Sequence, residues 1–353
     1  MKIANKIIDE NSPAFIVAEL SGNHNGKIKN AINAIIEAKK TGADAIKLQT
    51  YTPDTITLNS KKNYFKINHG TIWDGTTLYE LYKKSYTPWE WHKELFRIAK
   101  EEGIICFSSP FDSKALELLE SLNCPAYKIA SPEILDTNLI EQCALTNKPI
   151  IISSGIASKN DIDLAVKTCR NAKNNDIAVL KCTVEYPAPL SKSNLSTIID
   201  INKRYNVVSG LSDHTLGYIA PVVAVSLGAK IIEKHFIVSK SIGGPDSSFS
   251  LTKNQFTEMV KQIRIAEECI GEPEYKKNNS YDNKNNFVGR SLFFVKDMKE
   301  NEIITNKSIR SIRPGYGIHP KHLKSLIGKK VLNNVERGTP VRWEMINNLE
   351  KIK

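Results

Sequence analysis

The residues best able to do chemistry are two lysines that interrupt apolar runs, Lys47 in AIKLQT and Lys128 in AYKIAS. Four serines end other apolar runs along the chain: Ser109, Ser131, Ser153 and Ser212. Ammonium groups supply compact positive charge and hydroxyls supply directed donors, as binding a phosphate and a carboxylate of one small molecule requires. Any one of these residues could instead be a strand end that reaches solvent. The prediction of an anion site therefore depends on the whole set.

Two histidines, His214 in LSDHT and His235 in EKHF, also end apolar runs. Their imidazoles could converge on one divalent cation, with water and substrate oxygens completing its shell. Two protein ligands leave open positions, which suits a catalytic Mn²⁺ or Mg²⁺ better than a structural zinc. The alternative is a pair of hydrogen-bonded histidines without a metal.

Short apolar, β-branched runs alternate with segments of helical period from residue 14 onward. The predicted strands are Ala14 to Leu20, Ala45 to Thr50, Ile104 to Pro110, Ala126 to Ser131, Pro149 to Ser154, Ile177 to Thr183, Val207 to Asp213 and Lys230 to Phe236. Eight such units predict an α/β fold of the (β/α)₈ TIM-barrel type, whose active site lies at the C-terminal strand ends. The alternative, an open doubly wound sheet, lacks its G-x-G-x-x-G sequence after the first strand.

The net charge of +11 could attract nucleic acid, an acidic membrane or an anionic small substrate. The basic excess is concentrated after residue 290, in a stretch with turn residues rather than a basic helix with stacking aromatics. We therefore expect an anionic substrate and no nucleic acid. The six cysteines have scattered spacings and are predicted to be reduced core residues.

Neither a long apolar run nor a signal-peptide pattern occurs, so we expect a cytoplasmic protein without membrane contact. The barrel is predicted to cover residues 1–270, a polar linker residues 271–289 and a small β-rich domain residues 290–353. Almost forty residues separate Thr50 from the helix that begins near Pro88. Long ordered loops are usually functional, so this connection is predicted to be a lid beside the site.

Several long segments together resemble the N-acetylneuraminate synthase (sialic acid synthase) family, in family order and over nearly the whole chain. They are FIVAELSGNHNG, GADAIKLQTYTPDT, ICFSSPFD, AYKIASPEI, SSGIAS, YPAP, GLSDHT, EKHF, GGPDSSFSL, RSIRPGYGIHP and ERGTP. The C-terminal part resembles the antifreeze-like (SAF) domain that this family joins to its barrel. The resemblance implies a metal-dependent transferase that condenses phosphoenolpyruvate with an acetamido deoxy-sugar.

The resemblance also implies a role for each matching residue. Phosphoenolpyruvate would be held by Lys47, Ser109, Lys128, Ser131, Ser153 and Ser212. Glu19 would act as acid or base, and His214 and His235 would hold the metal. The sugar would be faced by Gln49, Glu133, Tyr186 and Asp246, joined by Arg313 from the other chain of a domain-swapped homodimer.

Within the family, TIWDGTTLYELYKKSYTPWEWH, GNHNG and QTYTPDT are most similar to pseudaminic acid synthases, which use a 2,4-diacetamido-2,4,6-trideoxy sugar. Val184 departs from the Asn of sialic acid synthases, so an amide contact to the sugar is missing there. N-acetylneuraminate and legionaminate synthases are the alternatives. A non-catalytic binding protein with an antifreeze-like domain is a remote one, and it leaves the catalytic residue types unexplained.

Overall fold

A computed structural model describes residues 1–275 and 287–347 of the chain. The chain divides into two compact units, Met1–Gly271 and Glu272–Lys353. Most of the predicted linker, residues 276–286, lies outside the described residues. Among the described residues, no helix has both the length and the apolar character needed to cross a membrane.

The first unit begins with an antiparallel hairpin of β1 (Lys2–Ile3) and β2 (Lys6–Ile7), after which come eight parallel strands. The eight are β3 (Phe15–Glu19), β4 (Ala45–Thr50), β5 (Ile105–Pro110), β6 (Tyr127–Ile129), β7 (Ile150–Ser153), β8 (Ile177–Cys182), β9 (Val208–Asp213) and β10 (Ile231–Ile237). Each strand pairs with the next, and β10 pairs with both β9 and β3, so the sheet closes on itself. The predicted TIM barrel is confirmed.

Helices follow the barrel strands along the chain. They are α1 (Ile28–Lys40), α2 (Pro53–Ile56), α3 (Leu78–Ser85), α4 (Trp89–Glu102), α5 (Ser113–Ser121), α6 (Thr137–Leu145), α7 (Lys159–Asn171), α8 (Thr197–Tyr205), α9 (Ile219–Ser226) and α10 (Lys253–Ile270). A short strand, β11 (Leu251–Thr252), pairs with the end of β10 just before α10. The strands are buried along most of their length because helices cover their outer faces and side chains fill the interior.

Local sequence explains where these helices begin and end. Ser158 caps α7 by accepting a hydrogen bond from the backbone of Asp161, whose carboxylate accepts one from the Ser158 backbone in return. This reciprocal arrangement satisfies two amide groups that have no partner inside the helix. At its other end, α4 stops at Gly103, whose φ of 66° is the left-handed conformation that glycine adopts without strain.

The long connection between β4 and α4 is not a bare loop. It contains α2 and α3, and an antiparallel bridge joins Lys66 to Thr77. The carboxylate of Asp74 accepts hydrogen bonds from the backbone of His69, Gly70 and Thr71, which ties the turn of this segment together. The connection is therefore ordered by its own contacts, and its function as a lid stays a prediction.

All six cysteines are free, and five of them are buried as expected. Cys269 is exposed, so the prediction of a core position is wrong for this residue. It lies on α10 outside the apolar stripe that Phe256, Met259 and Ile263 turn toward the core.

The second unit has an apolar core of its own around two antiparallel strands, β12 (Ser291–Phe294) and β13 (Ile309–Ile312). Isolated bridges extend the pairing, as between Met298 and Val335. A single turn of helix, α11 (Leu323–Leu326), buries Leu326 in the same core. The described part of this unit is thus short β pairs and turns around one small core.

Replacing Gly210 by alanine is expected to destabilise the barrel by about 1 to 3 kcal/mol, the usual cost of overpacking. Gly210 pairs with Ile231 where β9 meets β10, and an added Cβ would overlap the Ile231 carbonyl oxygen and lie 2.6 Å from Cδ2 of Leu180. Urea denaturation measures the change. Ser209→Ala is the control, because the Ser209 hydroxyl is buried without a hydrogen-bond partner among the described residues. Equal midpoints for both variants would contradict the explanation.

Candidate active site

The polar residues of the barrel lie at the C-terminal ends of its strands. Glu19 at the end of β3 is in register with Lys47 on β4 and with His235 on β10. Glu233 on β10 is in register with Ser212 on β9. Because side chains alternate along a strand, Glu233 and His235 point to the same side of the sheet, the barrel interior. Closure of the sheet therefore brings these groups together at the end of the barrel where the strands terminate, which we call the mouth.

Four charged side chains in this mouth form two buried ion pairs. Lys128 Nζ contacts both carboxylate oxygens of Glu233, at 2.8 and 3.0 Å. Lys47 Nζ lies 2.6 Å from Oε2 of Glu19 and 3.5 Å from Oε1 of Glu233. Because β6 and β10 stand on opposite sides of the barrel, the Lys128–Glu233 pair crosses its interior.

The two carboxylates of this cluster differ in pKa. Burial raises the pKa of Glu19 to about 7, although Lys47 acts in the opposite direction. Burial would raise the pKa of Glu233 as well, but Lys128 and Lys47 outweigh it and hold this pKa at about 2. At neutral pH, Glu233 is therefore a fixed anion, whereas Glu19 can give or take a proton.

Sequence reasoning missed Glu233. The residue was visible on the eighth strand, directly before Lys234 and His235, but nothing local distinguishes a counter-ion from any other strand-end carboxylate. The alternation of side chains along a strand could have indicated its location, because Glu233 and His235 are two residues apart and must lie on the same face of the strand. Its partners, Lys47 and Lys128, are far away along the chain, so the contact is a product of barrel closure.

The predicted serines are all buried at the mouth, but they are not equivalent. Ser109 Oγ lies 3.4 Å from Lys47 Nζ, and Ser212 Oγ donates to Glu233 at 3.2 Å. Ser131 Oγ accepts a hydrogen bond from the backbone of Ile156 at 2.9 Å. The Ser153 hydroxyl is buried and has no hydrogen-bond partner among the described residues. It is therefore a donor that a ligand could use.

The two histidines lie side by side, with ring centroids 5.4 Å apart. Nδ1 of His214 is 2.8 Å from the Thr183 carbonyl oxygen, which can only accept, so Nδ1 carries the proton and Nε2 keeps its lone pair. Nδ1 of His235 is buried without a hydrogen-bond partner in the part of the chain that the structure describes. Burial lowers the pKa of both imidazoles and keeps them neutral.

This pair fits a divalent cation, because neutral imidazoles with free nitrogens are what a metal requires. Residues 1–275 and 287–347 hold no group of three or more His, Cys, Asp or Glu side chains arranged to bind a metal. Two imidazoles alone would leave positions on a cation for water and substrate, as catalytic rather than structural sites do.

An aromatic wall stands beside the histidines. The Tyr186 ring lies 4.3 Å from that of His214 and 5.3 Å from that of Phe249, by centroids. Trp73, from the long connection after β4, lies 5.3 Å from Tyr186 and donates its indole N–H to the Pro245 carbonyl at 3.1 Å. The connection thus reaches the segment that follows β10.

The remaining barrel residues predicted to face the sugar lie around the same mouth. Gln49 donates to Oε1 of Glu19 at 3.0 Å. Asp246 is buried and accepts hydrogen bonds from the Ser21 hydroxyl and the Gly22 backbone. Glu133 has a buried carboxylate oxygen without a partner among the described residues, and burial raises its pKa to about 7. These groups are available to a polar ligand.

Arg313 and Val184 are the two other residues that the sequence singled out. Arg313 is exposed in the second unit, so its role stays a prediction. Val184, where the amide contact is missing, instead packs against Gly155, because a Cβ on Gly155 would overlap Cγ2 of Val184.

Comparison with known proteins decides the family. Residues 34–275 match the NeuB family, and residues 289–347 match the SAF domain. The chain belongs to the NeuB family. The predicted resemblance is confirmed, as is the β-rich C-terminal domain of SAF type.

Named relatives cover nearly the whole of this NeuB-family chain. A pseudaminic acid synthase from Helicobacter pylori is 48% identical over 93% of this chain and 96% of its own. An N,N'-diacetyllegionaminic acid synthase from Legionella pneumophila is 33% identical over 94% of each chain. The crystal structure of the spore coat polysaccharide biosynthesis protein spsE from Bacillus subtilis covers 99% of both chains at 32% identity, with a TM-score of 0.66.

Glu19→Gln is expected to stabilise the protein increasingly as pH rises from about 4.5 to about 7. In the wild type, Glu19 ionises in the unfolded chain near 4.5 but stays protonated in the fold until about 7, so stability is lost across this window. The free energy of unfolding of the wild type falls by about 3 kcal/mol across this window, which is the equivalent of that pKa shift, and that of the variant does not. Chemical denaturation of both proteins at several pH values measures the difference.

Glu37→Gln is the control with the opposite sign. Lys253 and Lys40 lower the pKa of Glu37, so its ionised form stabilises the fold at neutral pH and this stability is lost only in acid. This variant should be less stable than wild type at pH 7. A Glu19→Gln difference that does not change between pH 4.5 and 7 would contradict the raised pKa of Glu19.

Proposed function

We propose that this chain is a pseudaminic acid synthase that condenses phosphoenolpyruvate with 2,4-diacetamido-2,4,6-trideoxy-β-L-altropyranose, in its open-chain form, and water. One observation carries the chemistry: two buried lysines at the barrel mouth stand beside a carboxyl group of raised pKa. The choice of sugar is supported by the 48% identity to the Helicobacter pylori pseudaminic acid synthase.

Binding phosphoenolpyruvate requires positive charge in a site largely free of water. Lys47 and Lys128 supply it, and Ser153 adds a hydroxyl that is free to donate. We expect Ser109, Ser131 and Ser212 to bind further phosphate and carboxylate oxygens, and the contacts of Ser109 with Lys47 and of Ser212 with Glu233 support this. The lysines act as electrostatic clamps that orient the anion and offset its charge.

The reaction then needs one bond formed, one water consumed and one phosphate released. Carbon 3 of phosphoenolpyruvate attacks the aldehyde carbon, leaving positive charge on carbon 2, to which water adds. The resulting tetrahedral centre expels phosphate by cleavage of the C–O bond and leaves the 2-keto acid. Glu19, protonated or ionised near neutral pH, can donate a proton to the new alkoxide or accept one from the water.

His214 and His235 would hold a divalent cation, Mn²⁺ or Mg²⁺, which would supply Lewis acidity to polarise a carbonyl oxygen. We expect Asp246, Gln49 and Glu133 to hydrogen-bond the sugar and Tyr186 to contact it with its ring face; the buried carboxyl groups and the amide of these residues support this expectation. The proposal includes a domain-swapped homodimer in which Arg313 serves the partner's site. Two measurements test that part. The protein should have the size of a dimer in solution, and activity should return when Arg313→Ala is mixed with an active-site variant.

N-acetylneuraminate and legionaminate synthases remain the alternatives. They would share the lysines, the histidines and Glu19, and would differ only in how the sugar is held. The Legionella pneumophila legionaminic acid synthase is 33% identical to this chain, against 48% for the Helicobacter pylori enzyme. That difference favours pseudaminic acid.

Phosphate release from phosphoenolpyruvate tests the proposal directly. The chelator-treated protein with added Mn²⁺ is offered the altrose substrate, its legionaminate-pathway counterpart and N-acetylmannosamine in parallel. We expect metal-dependent release with the altrose sugar alone. Preference for another sugar would keep the mechanism and change the substrate, and no release with any of the three would refute the synthase assignment.

Glu19→Gln is expected to lower kcat by about 10²- to 10⁴-fold, the usual contribution of a positioned acid or base. The wild-type rate profile should show an inflection near pH 7, where Glu19 titrates, and the variant should lose it. Glu37→Gln, on the outer helix α1, should keep the wild-type rate. An unchanged inflection in Glu19→Gln would assign the proton transfer to another group.

A further inference from the structure

Lys234 is a fully buried lysine that the proposed reaction does not use. It lies between Glu233 and His235 on β10, and alternation turns its side chain away from the barrel interior into which they point. Its ammonium group contacts the carboxylate of Asp213 and donates to the Thr215 carbonyl oxygen at 2.6 Å. Lys234 and Asp213 are also in register across the β9–β10 pair.

The partners of Lys234 stand on either side of His214. Asp213 precedes this histidine and Thr215 follows it, and the Asp213 carboxylate also accepts from the Thr215 backbone at 2.9 Å and from its hydroxyl at 3.1 Å. Lys234 itself directly precedes His235. One ammonium group, on the residue next to His235, therefore contacts the Asp213 side chain just before His214 and the Thr215 backbone just after it.

A stability role alone does not account for this arrangement. Burying an ammonium and a carboxylate carries a desolvation cost that often cancels their attraction, so a well-packed apolar pair would serve the fold equally well. Unlike apolar contacts, these hydrogen bonds keep their strength only at particular distances and angles. They therefore fix the position of the segment that carries His214 relative to the strand that carries His235.

We propose that Lys234 is a positioning residue that sets the separation of His214 and His235 for a divalent cation. This inference rests on the proposed function, since it concerns the same metal site. Lys234 touches neither imidazole and acts through Asp213 and Thr215. Groups that hydrogen-bond a metal ligand directly typically contribute 10- to 100-fold to metal affinity, so a residue one contact further out is expected to contribute about tenfold.

The test is Mn²⁺ binding without substrate, measured by calorimetry or by electron paramagnetic resonance of free Mn²⁺. Lys234→Met should bind Mn²⁺ about tenfold more weakly than wild type. Lys230→Met is the matched control, because Lys230, the residue just before β10, makes a comparable lysine–carbonyl bond, to Ser12 at 2.8 Å. Its Mn²⁺ affinity should equal that of wild type.

A second variant separates positioning from stability. Lys234→Met alone leaves the Asp213 carboxylate buried without its cation and should lower the Tm. The double variant Asp213→Asn with Lys234→Met removes that buried charge, so its Tm should recover. Its Mn²⁺ affinity should stay low, because the link between the two strand ends is still absent.

The outcomes are distinct. Wild-type Mn²⁺ affinity in Lys234→Met, or recovery of affinity together with Tm in the double variant, would overturn the positioning role and leave the synthase assignment intact. Absence of Mn²⁺ binding in the wild type would overturn the metal site and the positioning role together. Phosphate release by the wild type reports on the proposed function independently of both.

Discussion

The structure of this barrel depends on one constraint: charges enclosed in its interior must neutralise one another. Lys47 and Lys128 are buried where little water can solvate them, and a lone buried ammonium would be strongly unfavourable. Glu233, on the strand opposite Lys128, satisfies that requirement as a fixed anion, and Glu19, on the strand next to Lys47, contributes to it when ionised. An anionic substrate must therefore compete with carboxylates already in place. This competition favours ligands that carry more than one negative charge.

The same constraint separates the two carboxylates chemically. Glu233 faces both ammonium groups and stays ionised, whereas Glu19 pairs with Lys47 alone and burial raises its pKa to about 7. Neighbouring carboxyl groups whose environments push their pKa values apart are typical of acid–base catalysis. The cluster thus contains a fixed anion and a proton carrier, two roles that the residue types alone do not distinguish.

The strands and most of the site could be predicted because their signals are local. Apolar, β-branched runs bounded by polar turns mark each strand, so the predicted limits agree with β3 to β10 to within about two residues. The candidate lysines, serines and histidines could be predicted because they are polar residues within or at the ends of those runs. The prediction for Cys269 was wrong because it rested on how often free cysteines are buried, whereas the position of Cys269 on α10 turns it to solvent.

By itself, the sequence determined the barrel, the small C-terminal domain and the residue types at the mouth, because periodicity and strand-end position are properties of neighbouring residues. Only the tertiary structure decided which charges meet. The contact of Lys128 with Glu233, like that of Lys234 with Asp213, joins distant segments. Such contacts exist only once the sheet closes and brings β10 beside β9 and across from β6. Burial in that closed interior then sets the pKa values, since desolvation has no counterpart in the chain before it folds.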